Sequence, residues 1–417
     1  MDDLLKDEVI TWLHSLTKYG IKLGLDNIRE LLNRIGNPQK SFKSIHVAGS
    51  DGKGSVCSTI SAILSESGMK VGMYSSPHLM DFNERIQIRG QNISDDDLLL
   101  LAHEIMIVVE CMKDEGMQCT FFESVTAMAF LYFQRKNVDY AVIEVGIGGR
   151  YDATNIIDPV VSVITNVSGE HKSVLGETVT DIAFEKAGII KSGIPIITSN
   201  TGKILEVISK VSEEKGSPLI ATDKASMVSL VQNGSIVEYG GREYFISIPG
   251  SYQAVNLPLV LETLKILPEW DHVSNFVDKG LKSVSWKGRM QKIDSLPLII
   301  DVTHTAAGMK YLCEDISEIY GKVNIVFGVL SDKDLVRMAE SVSKMGEKIY
   351  IALPHTERDM DSEEMMRVMN IYSEDVTYCD TVDDAIEAAL KEDRVVLVTG
   401  SLRMAECAFK WLKKRSV

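Results

Sequence analysis

The sequence has little positive charge for its 417 residues, because 44 Lys and Arg stand against 59 Asp and Glu, a formal net charge of −15 at pH 7. A protein that binds nucleic acid needs a basic face that displaces counterions from phosphates. The acidic balance therefore argues against a nucleic-acid partner. It does not exclude small anionic ligands, because the N–H groups of a single loop bind phosphate even in an acidic protein.

Long apolar runs and paired cysteines are also missing. No stretch approaches the roughly 18 apolar residues of a membrane helix, and the chain opens with acidic residues rather than the basic and then apolar regions of a signal peptide. The six cysteines are scattered, without a C-x-x-C pair, which is typical of buried thiols in a reducing compartment. These absences predict a cytoplasmic protein without a membrane partner.

The first half of the chain alternates between helical patterns and continuous apolar runs. Those runs lie at 44–49, 71–76, 139–146 and 160–167. Apolar runs without polar alternation are typical of parallel strands that helices cover on both faces. Two turn pairs between β-branched runs at 222–250 predict antiparallel hairpins.

A polar, glycine-bearing and basic segment at 278–292 favours a domain junction. Beyond it, four apolar runs alternate with helical patterns, which indicates a second α/β unit. The sequence therefore predicts an α/β protein with two domains. The first is an N-terminal parallel-sheet domain at 1–285 that includes the hairpins, and the second is a smaller C-terminal Rossmann-like α/β domain at 286–417.

The segment AGSDGKGS at 48–55 follows a predicted strand and precedes a predicted helix. Its glycines are Gly49, Gly52 and Gly54. They let the backbone bend and approach a ligand, so that loop N–H groups and the helix N-terminus face an anion. Lys53 would reach terminal phosphates, and Ser55 offers a hydroxyl to phosphate or magnesium. We favour this phosphate loop over a plain glycine-rich turn, although the Asp51 carboxylate repels phosphate unless it faces magnesium or caps a backbone N–H.

Three further side chains follow or lie between the buried runs of the first domain. Glu144 ends a strand where ligands of α/β sheets bind, and it suits magnesium; the alternative is a salt-bridged structural carboxylate. His171 would bind a metal or orient phosphate, although a lone histidine is more often structural. Lys186 lies in a helical pattern, where composition alone favours a solvated lysine.

The junction and the second domain add three candidates. Arg289 lies at the junction, where an arginine would neutralise charge in phosphoryl transfer; the alternative is an ordinary hinge arginine. Asp301 and His304 follow the first strand of the second domain. We expect them at the carboxyl edge of that sheet, where ligands bind.

Several long motifs occur in one order along almost the whole chain. They are IHVAGSDGKGS, SSPHLMDFNERIQIRG, FFESVTAMAF, EVGIGGRYDATN, ITNVSGEHKSVLGETVTDIAFEKAGIIK, GSYQAVN, KGR, DKD and VTGS. In this arrangement the chain resembles the folylpolyglutamate synthase/dihydrofolate synthase family of the Mur ligase superfamily. The resemblance implies a Mur ligase-like fold, with a P-loop-type ATPase domain followed by a C-terminal α/β ligase domain.

The resemblance also implies roles for individual residues. ATP phosphates would lie on the loop of Gly49, Ser50, Asp51, Gly52, Lys53, Gly54 and Ser55, and the nucleotide would contact Gln253, Asn256, Arg289, Asp301 and His304. Magnesium would be held by Ser55, Ser76, Glu144, His171 and Lys186, the last as a carbamate that supplies an anionic oxygen. A pterin-type substrate would lie near Phe82, Arg85, Asp152 and Ala153. The implied catalytic residues are Lys53, Lys186, His171 and Arg289.

The implied reaction is ATP-dependent amide formation by a monomer. ATP would phosphorylate a small-molecule carboxylate of the pterin or folate type, and L-glutamate would attack the resulting acyl phosphate. Three segments depart from the family pattern, namely Ser50-Asp51 for Thr-Asn, Glu170 for Asp, and DVTHT (301–305) for D-G-A-H-N. They motivate two alternatives: a ligase for another carboxylate, such as another pterin, a peptide-like acid or a tetrapyrrole side chain, or a nucleotide-binding regulatory protein without ligase activity.

Overall fold

The chain forms two compact units in a computed structural model. The residues that it describes are 9, 11–13, 15–20, 24–169, 171–356 and 358–415. The first unit takes its described residues from 1–78, 82–225 and 255–284, and the second takes them from 79–81, 226–254 and 285–415. Each unit is built around its own sheet.

The first unit contains a mainly parallel sheet, as the apolar runs predicted. In the described part of the chain its order is β4-β3-β2-β5-β1-β6-β7-β8. The strands are β1 (Lys43–Ala48), β2 (Val71–Tyr74), β3 (Ile86–Ile88), β4 (Gln91–Asn92), β5 (Tyr140–Glu144), β6 (Val161–Ile164), β7 (Ile196–Thr198) and β8 (Leu219–Ala221). Among the described residues, the antiparallel pairs of this sheet are β2 with β3 and β3 with β4, at one edge.

Helices cover both faces of this sheet. They are α1 (Asp26–Arg34), α2 (Lys53–Glu66), α3 (Asp95–Asp114), α4 (Phe121–Arg135), α5 (Lys172–Leu175), α6 (Val179–Ala187), α7 (Gly202–Lys215), α8 (Gln253–Lys265), α9 (Trp270–Val273) and α10 (Val277–Ser283). Capping boxes begin two of them, with Thr120 before α4 and Thr178 before α6. Each satisfies N–H groups that a helix start leaves unpaired, which fixes the residue at which the helix begins.

The second unit has two sheets among its described residues. The hairpin sheet has the antiparallel order β11-β10-β9, and the larger sheet has the order β12-β13-β17-β14-β15-β16. Their strands are β9 (Ser226–Val231), β10 (Gly234–Tyr239), β11 (Arg242–Ile246), β12 (Gln291–Ile293), β13 (Leu298–Ile300), β14 (Val323–Phe327), β15 (Gly346–Ile351), β16 (Val376–Tyr378) and β17 (Val396–Thr399). The helices are α11 (Ala306–Tyr320), α12 (Leu335–Met345), α13 (Ser362–Tyr372), α14 (Val382–Ala389) and α15 (Leu402–Lys414).

The hairpins differ from the sequence expectation in the unit to which they belong. We placed 222–250 in the first domain, whereas 226–254 forms part of the second compact unit. Strand β9 contacts α11, and the backbone N–H of Ser251 donates to the Asp315 carboxylate at 2.8 Å. Pairing between segments distant in sequence therefore decides the division, and a linear pattern of turns does not contain that information.

The structure also tests the sequence expectations about the cysteines and about membrane helices. All six cysteines are free thiols, but only Cys57, Cys119 and Cys313 are buried, and Cys111 is exposed. The expectation of uniformly buried thiols is therefore wrong. Among the described residues, no helix has both the length and the apolar character needed to cross a membrane.

Candidate active site

The glycine loop between β1 and α2 has space only for glycine at two positions. Gly49 has a φ of +147°, and a Cβ there would lie 1.7 Å from the Thr165 Oγ1. Gly52 has a φ of +85°, and its Cβ would lie 2.8 Å from the Asn256 Oδ1. Since α2 begins at Lys53, the helix N-terminus follows directly, which is the geometry of an anion site.

The end of β6 holds this loop in place. The Ser50 N–H donates to the Asn166 carbonyl at 2.8 Å, and the Thr165 hydroxyl donates to the Asp51 carbonyl at 2.7 Å. The Asp51 N–H donates to Asn166 Oδ1 at 2.7 Å, while Asn166 Nδ2 donates to the Asp51 carboxylate at 3.1 Å. The Asp51 carboxylate thus accepts from a side-chain amide, whereas the sequence left open either magnesium or a backbone N–H as its partner.

Two lysines bring positive charge to the loop. Lys53 Nζ donates to the carbonyls of Gly49 and Ser50 at 3.2 and 3.0 Å. Lys186 Nζ, from α6, donates to the same Gly49 carbonyl at 2.7 Å. Lys186 is only 4 % exposed, so the interpretation as a solvated lysine, favoured by composition, is wrong. Its burial places a positive charge directly behind the glycine loop.

Glu144 lies beside the loop because β5 pairs with β1. Residue Val47 is in register with Glu144, and parallel strands end at the same edge of a sheet. The Glu144 carboxylate is buried and accepts the Ser76 N–H at 3.2 Å. Ser55 is buried in the first turn of α2. Carboxylate and hydroxyl oxygens are ligands that Mg²⁺ takes together with substrate phosphates, so these residues fit that ion.

His171 differs from the other expected magnesium ligands. It is exposed, has a φ of +54° and precedes α5. No group of three or more His, Cys, Asp or Glu that could hold a metal occurs within the described ranges. A cation here would therefore need phosphate or water oxygens as well as protein ligands. The Glu170 departure lies outside the described residues.

Asp152 closes the glycine-rich loop that follows β5. Its carboxylate accepts the N–H groups of Ile147 and Thr154, each at 3.0 Å, and also the Thr154 hydroxyl. Burial raises the pKa of Asp152 while these donors lower it. The neighbouring Ala153 begins a short 3₁₀ segment. The two residues are thus fixed in one loop, which a Cβ on Gly146 would disturb by meeting Phe122 at 2.6 Å.

Sequence reasoning missed a histidine behind this loop. His46 Nε2 lies 2.9 Å from the Thr154 Oγ1, and burial lowers the pKa of His46 to about 3. The imidazole is therefore neutral at ordinary pH and links strand β1 to the Asp152 loop. A polar residue within the apolar run SIHVAG was the available signal.

Phe82 and Arg85 lie together in the segment between β2 and β3. The Arg85 guanidinium lies 5.7 Å from the Phe82 ring centroid and 5.6 Å from that of Phe121. The two rings meet edge to face at 6.1 Å. A flat cation beside two aromatic rings offers both charge and apolar surface to a ligand.

The expected nucleotide contacts divide between the two units. Asn256, in the first unit, is buried against Gly52, and its Nδ2 has no hydrogen-bond partner within the described chain. Gln253, in the second unit, is also buried, and its Nε2 donates to the Ile248 carbonyl at 3.3 Å. An unpartnered buried donor is costly, so a ligand that accepts from Asn256 would offset that cost.

Asp301 organises the loop that follows β13 in the second unit. Its carboxylate accepts the N–H groups of Met290 at 2.8 Å and Thr303 at 2.7 Å. The first bond fixes the backbone next to Arg289, which is half-buried. His304 Nδ1 lies 3.0 Å from the Val302 carbonyl. The loop that carries Asp301 and His304 therefore lies against the backbone next to Arg289.

Two known family models match the chain, one in each half. Residues 47–263 match the Mur ligase middle domain, and residues 288–402 match the Mur ligase glutamate ligase domain. The two matches include the glycine loop and the Asp301 loop, which are the parts of the chain that carry the candidate residues.

Relatives of the whole chain give a narrower family. The chain is 33 % identical over 427 residues to dihydrofolate synthase/folylpolyglutamate synthase of Bacillus subtilis, covering 97 % of this chain and 98 % of the relative. It superposes on folylpolyglutamate synthase from Thermotoga maritima with a TM-score of 0.87 and 30 % identity, covering 98 % of both chains. E. coli FolC in complex with DHPP and ADP has a TM-score of 0.84 and 27 % identity, with 98 % of both chains covered. The chain therefore belongs to the folylpolyglutamate synthase/dihydrofolate synthase family of Mur ligases.

Proposed function

We propose that the protein is an ATP-dependent ligase that joins L-glutamate to a pterin-type or folate carboxylate. The observation that carries this proposal is the glycine loop, where Gly49 and Gly52 permit close approach and Lys53 and Lys186 meet at one carbonyl. The E. coli relative binds DHPP and ADP, which supports a nucleotide and a pterin ligand here. A carboxylate is a poor acyl donor until its oxygen is made a leaving group, and phosphorylation by ATP supplies that step.

Each candidate residue has one task in this reaction. The loop of 49–55 binds and orients the phosphates, and Lys53 neutralises charge on the group that is transferred. Magnesium, when bound, would neutralise further phosphate charge, and Ser55, Ser76 and Glu144 would hold it with His171 and a carbamylated Lys186. Arg289, Gln253, Asn256, Asp301 and His304 would contact the nucleotide. Attack by the glutamate amine on the acyl phosphate forms the amide bond and releases phosphate.

Substitution of Lys53 tests the phosphate role. We expect Lys53→Ala to reduce ATP-dependent amide formation about 10³-fold, since one charge-stabilising group in such a site contributes about 3–4 kcal/mol. The measurement is phosphate release with dihydropteroate or a folate plus glutamate. The matched control is Lys40→Ala, because Lys40 is exposed. Near-normal turnover of Lys53→Ala would refute the assignment.

A substrate panel tests the carboxylate. Purified protein is offered dihydropteroate, reduced folates and non-pterin acids, each with ATP, magnesium and glutamate. We expect glutamate-dependent phosphate release with pterin-containing acids. Release with a non-pterin acid alone would show another ligase, and nucleotide binding without release would show a regulatory protein. We further expect a cytoplasmic monomer, which light scattering and cell fractionation test.

A further inference from the structure

Arg85 is a buried cation that lacks an ion pair in the described part of the chain. Its residue exposure is 8 %, and burial lowers the pKa of the guanidinium, while Tyr74 and Glu144 oppose that shift. Removing a charge from water without a paired charge costs free energy. The faces of Phe82 and Phe121 recover part of that cost by cation–π attraction. The remainder is recovered when a ligand accepts from the guanidinium.

One side chain sets the orientation of this guanidinium. The Arg85 Nε–H donates to the Nδ1 of His78 at 2.8 Å. Since Nδ1 accepts, it carries no proton, and the neutral ring carries its proton on Nε2. The His78 ring also lies 5.9 Å from that of Phe82. Arg85 is therefore held from one edge by His78, and its guanidinium lies over the rings of Phe82 and Phe121.

This arrangement leaves one edge of the guanidinium for a ligand. In the described chain, the terminal nitrogens of Arg85 are not engaged in a side-chain hydrogen bond, whereas Nε is committed to His78. A planar fork that is already immobilised loses little entropy when it donates to two acceptors of a flat ligand. Aromatic walls favour a flat ring over a phosphate or an aliphatic acid.

We propose that His78 is the positioning residue that orients Arg85 toward the acceptor edge of the substrate's heteroaromatic ring. This inference rests on the proposed function and deepens it, because it identifies which part of the acid is recognised and by what. His78 touches no reacting atom in this account. Its contribution is to fix one rotamer of Arg85, so it affects binding of the pterin-type acid and leaves the chemical step unchanged.

Two His78 variants distinguish the effect of the hydrogen-bond acceptor from the effect of the side chain's bulk. Asn places an oxygen near the position of Nδ1 and retains the hydrogen bond, whereas Leu retains apolar bulk and removes the acceptor. We expect His78→Leu to raise the KM and the calorimetric Kd for dihydropteroate roughly tenfold, because a buried donor loses its partner. We expect His78→Asn to stay within about threefold of wild type. His103→Leu is the matched control, since His103 lies half-buried on α3.

The readouts distinguish positioning from a merely structural role. The proposal requires that kcat and the KM for ATP stay near wild type in both variants. The midpoint of thermal unfolding should fall in His78→Leu, because the buried Arg85 Nε–H loses its acceptor, and should stay near wild type in His78→Asn. Equal effects of Leu and Asn on the Kd for dihydropteroate, no effect of Leu on that Kd, or a parallel loss of nucleotide binding would each overturn it. If the wild type neither binds nor turns over any pterin acid, the proposed function itself fails, which is a different result from an active wild type with unaffected variants.

Discussion

Two strand–loop–helix segments of this chain fix the backbone of their loops in different ways. After β1, the loop bends because Gly49 and Gly52 have no side chain where Thr165 and Asn256 lie. After β13, residues 301–305 contain no glycine, and the Asp301 carboxylate instead accepts two backbone N–H groups. A loop shaped by missing side chains leaves its backbone open to a ligand. In the second loop, the Asp301 carboxylate occupies the backbone N–H groups and fixes the chain next to Arg289.

After Lys53→Ala, the largest expected effect comes from filling the first loop. In Gly49→Ala, the new Cβ would meet the Thr165 Oγ1 at 1.7 Å at a φ of +147°, so the loop must move. Overpacking with backbone displacement costs several kcal/mol. We expect ATP-dependent turnover to fall by more than about 100-fold, with weaker ATP binding by calorimetry.

A second glycine separates crowding from strain in that experiment. Gly68 follows α2 with a φ of +96°, and nothing lies within 4 Å of its Cβ. Gly68→Ala therefore carries the strain of a positive φ without a collision, and it should cost about 1 kcal/mol of stability with little change in turnover. Equal loss of activity in Gly49→Ala and Gly68→Ala would show that backbone strain, and not crowding against Thr165, causes the loss.

Removal of the Lys186 charge is the next largest effect. Lys186→Met keeps a long apolar side chain and deletes the donor 2.7 Å from the Gly49 carbonyl. We expect kcat to fall on the order of 100-fold, as for loss of one charge-stabilising group, and we expect bicarbonate to stimulate the wild type only. Lys191→Met is the matched control, because Lys191 also donates at 2.7 Å to a backbone carbonyl, that of Asn155. Comparable losses in kcat would make Lys186 merely structural.

The same contrast explains what could be predicted from the sequence. A loop that depends on glycine is visible as glycine, and Glu144 is visible because it ends a continuous apolar run. Parallel strands end together, so its place at the carboxyl edge of the sheet followed from the fold class. Its adjacency to the loop depends on the pairing of β5 with β1. The site elements that rest on main-chain geometry were therefore predictable.

Elements that rest on long-range side-chain partners were not. Asn166 pairs with Asp51 across 115 positions, and His46 meets Thr154 across 108 positions. The short strands β12 and β16 were also missed, because three residues at a sheet edge are too few for a periodic pattern. Burial of Lys186 was hidden for a related reason: its partner is a carbonyl, which any residue supplies.

A smaller effect is expected from the second loop. Asp301→Asn keeps one oxygen and turns an amino group toward the N–H of either Met290 or Thr303. One buried hydrogen bond is lost and two donors face each other, which should lower the free energy of unfolding by about 1–3 kcal/mol. The KM for ATP should rise less than tenfold, since Arg289 is displaced rather than removed. The control is Asp361→Asn, at the exposed N-cap of α13. It should change the free energy of unfolding in denaturant titrations, and the KM for ATP in steady-state assays, by less than Asp301→Asn does.

The last expected effect is a gain in stability, and it concerns α11, the helix after the second loop. Burial raises the pKa of Asp315 from 3.8 to about 6, so the folded protein binds a proton more tightly than the unfolded chain. This carboxyl therefore opposes folding above pH 6, and its penalty disappears as the pH falls toward 3.8. Asp315→Asn still offers an oxygen to the Ser251 N–H and should raise the free energy of unfolding at pH 7.5 by about 1–3 kcal/mol. The gain should vanish near pH 4 in urea titrations, whereas Glu318→Gln on the exposed side of the same helix should show no such gain. A gain that is independent of pH would mean that packing, rather than ionisation, limits stability at this position.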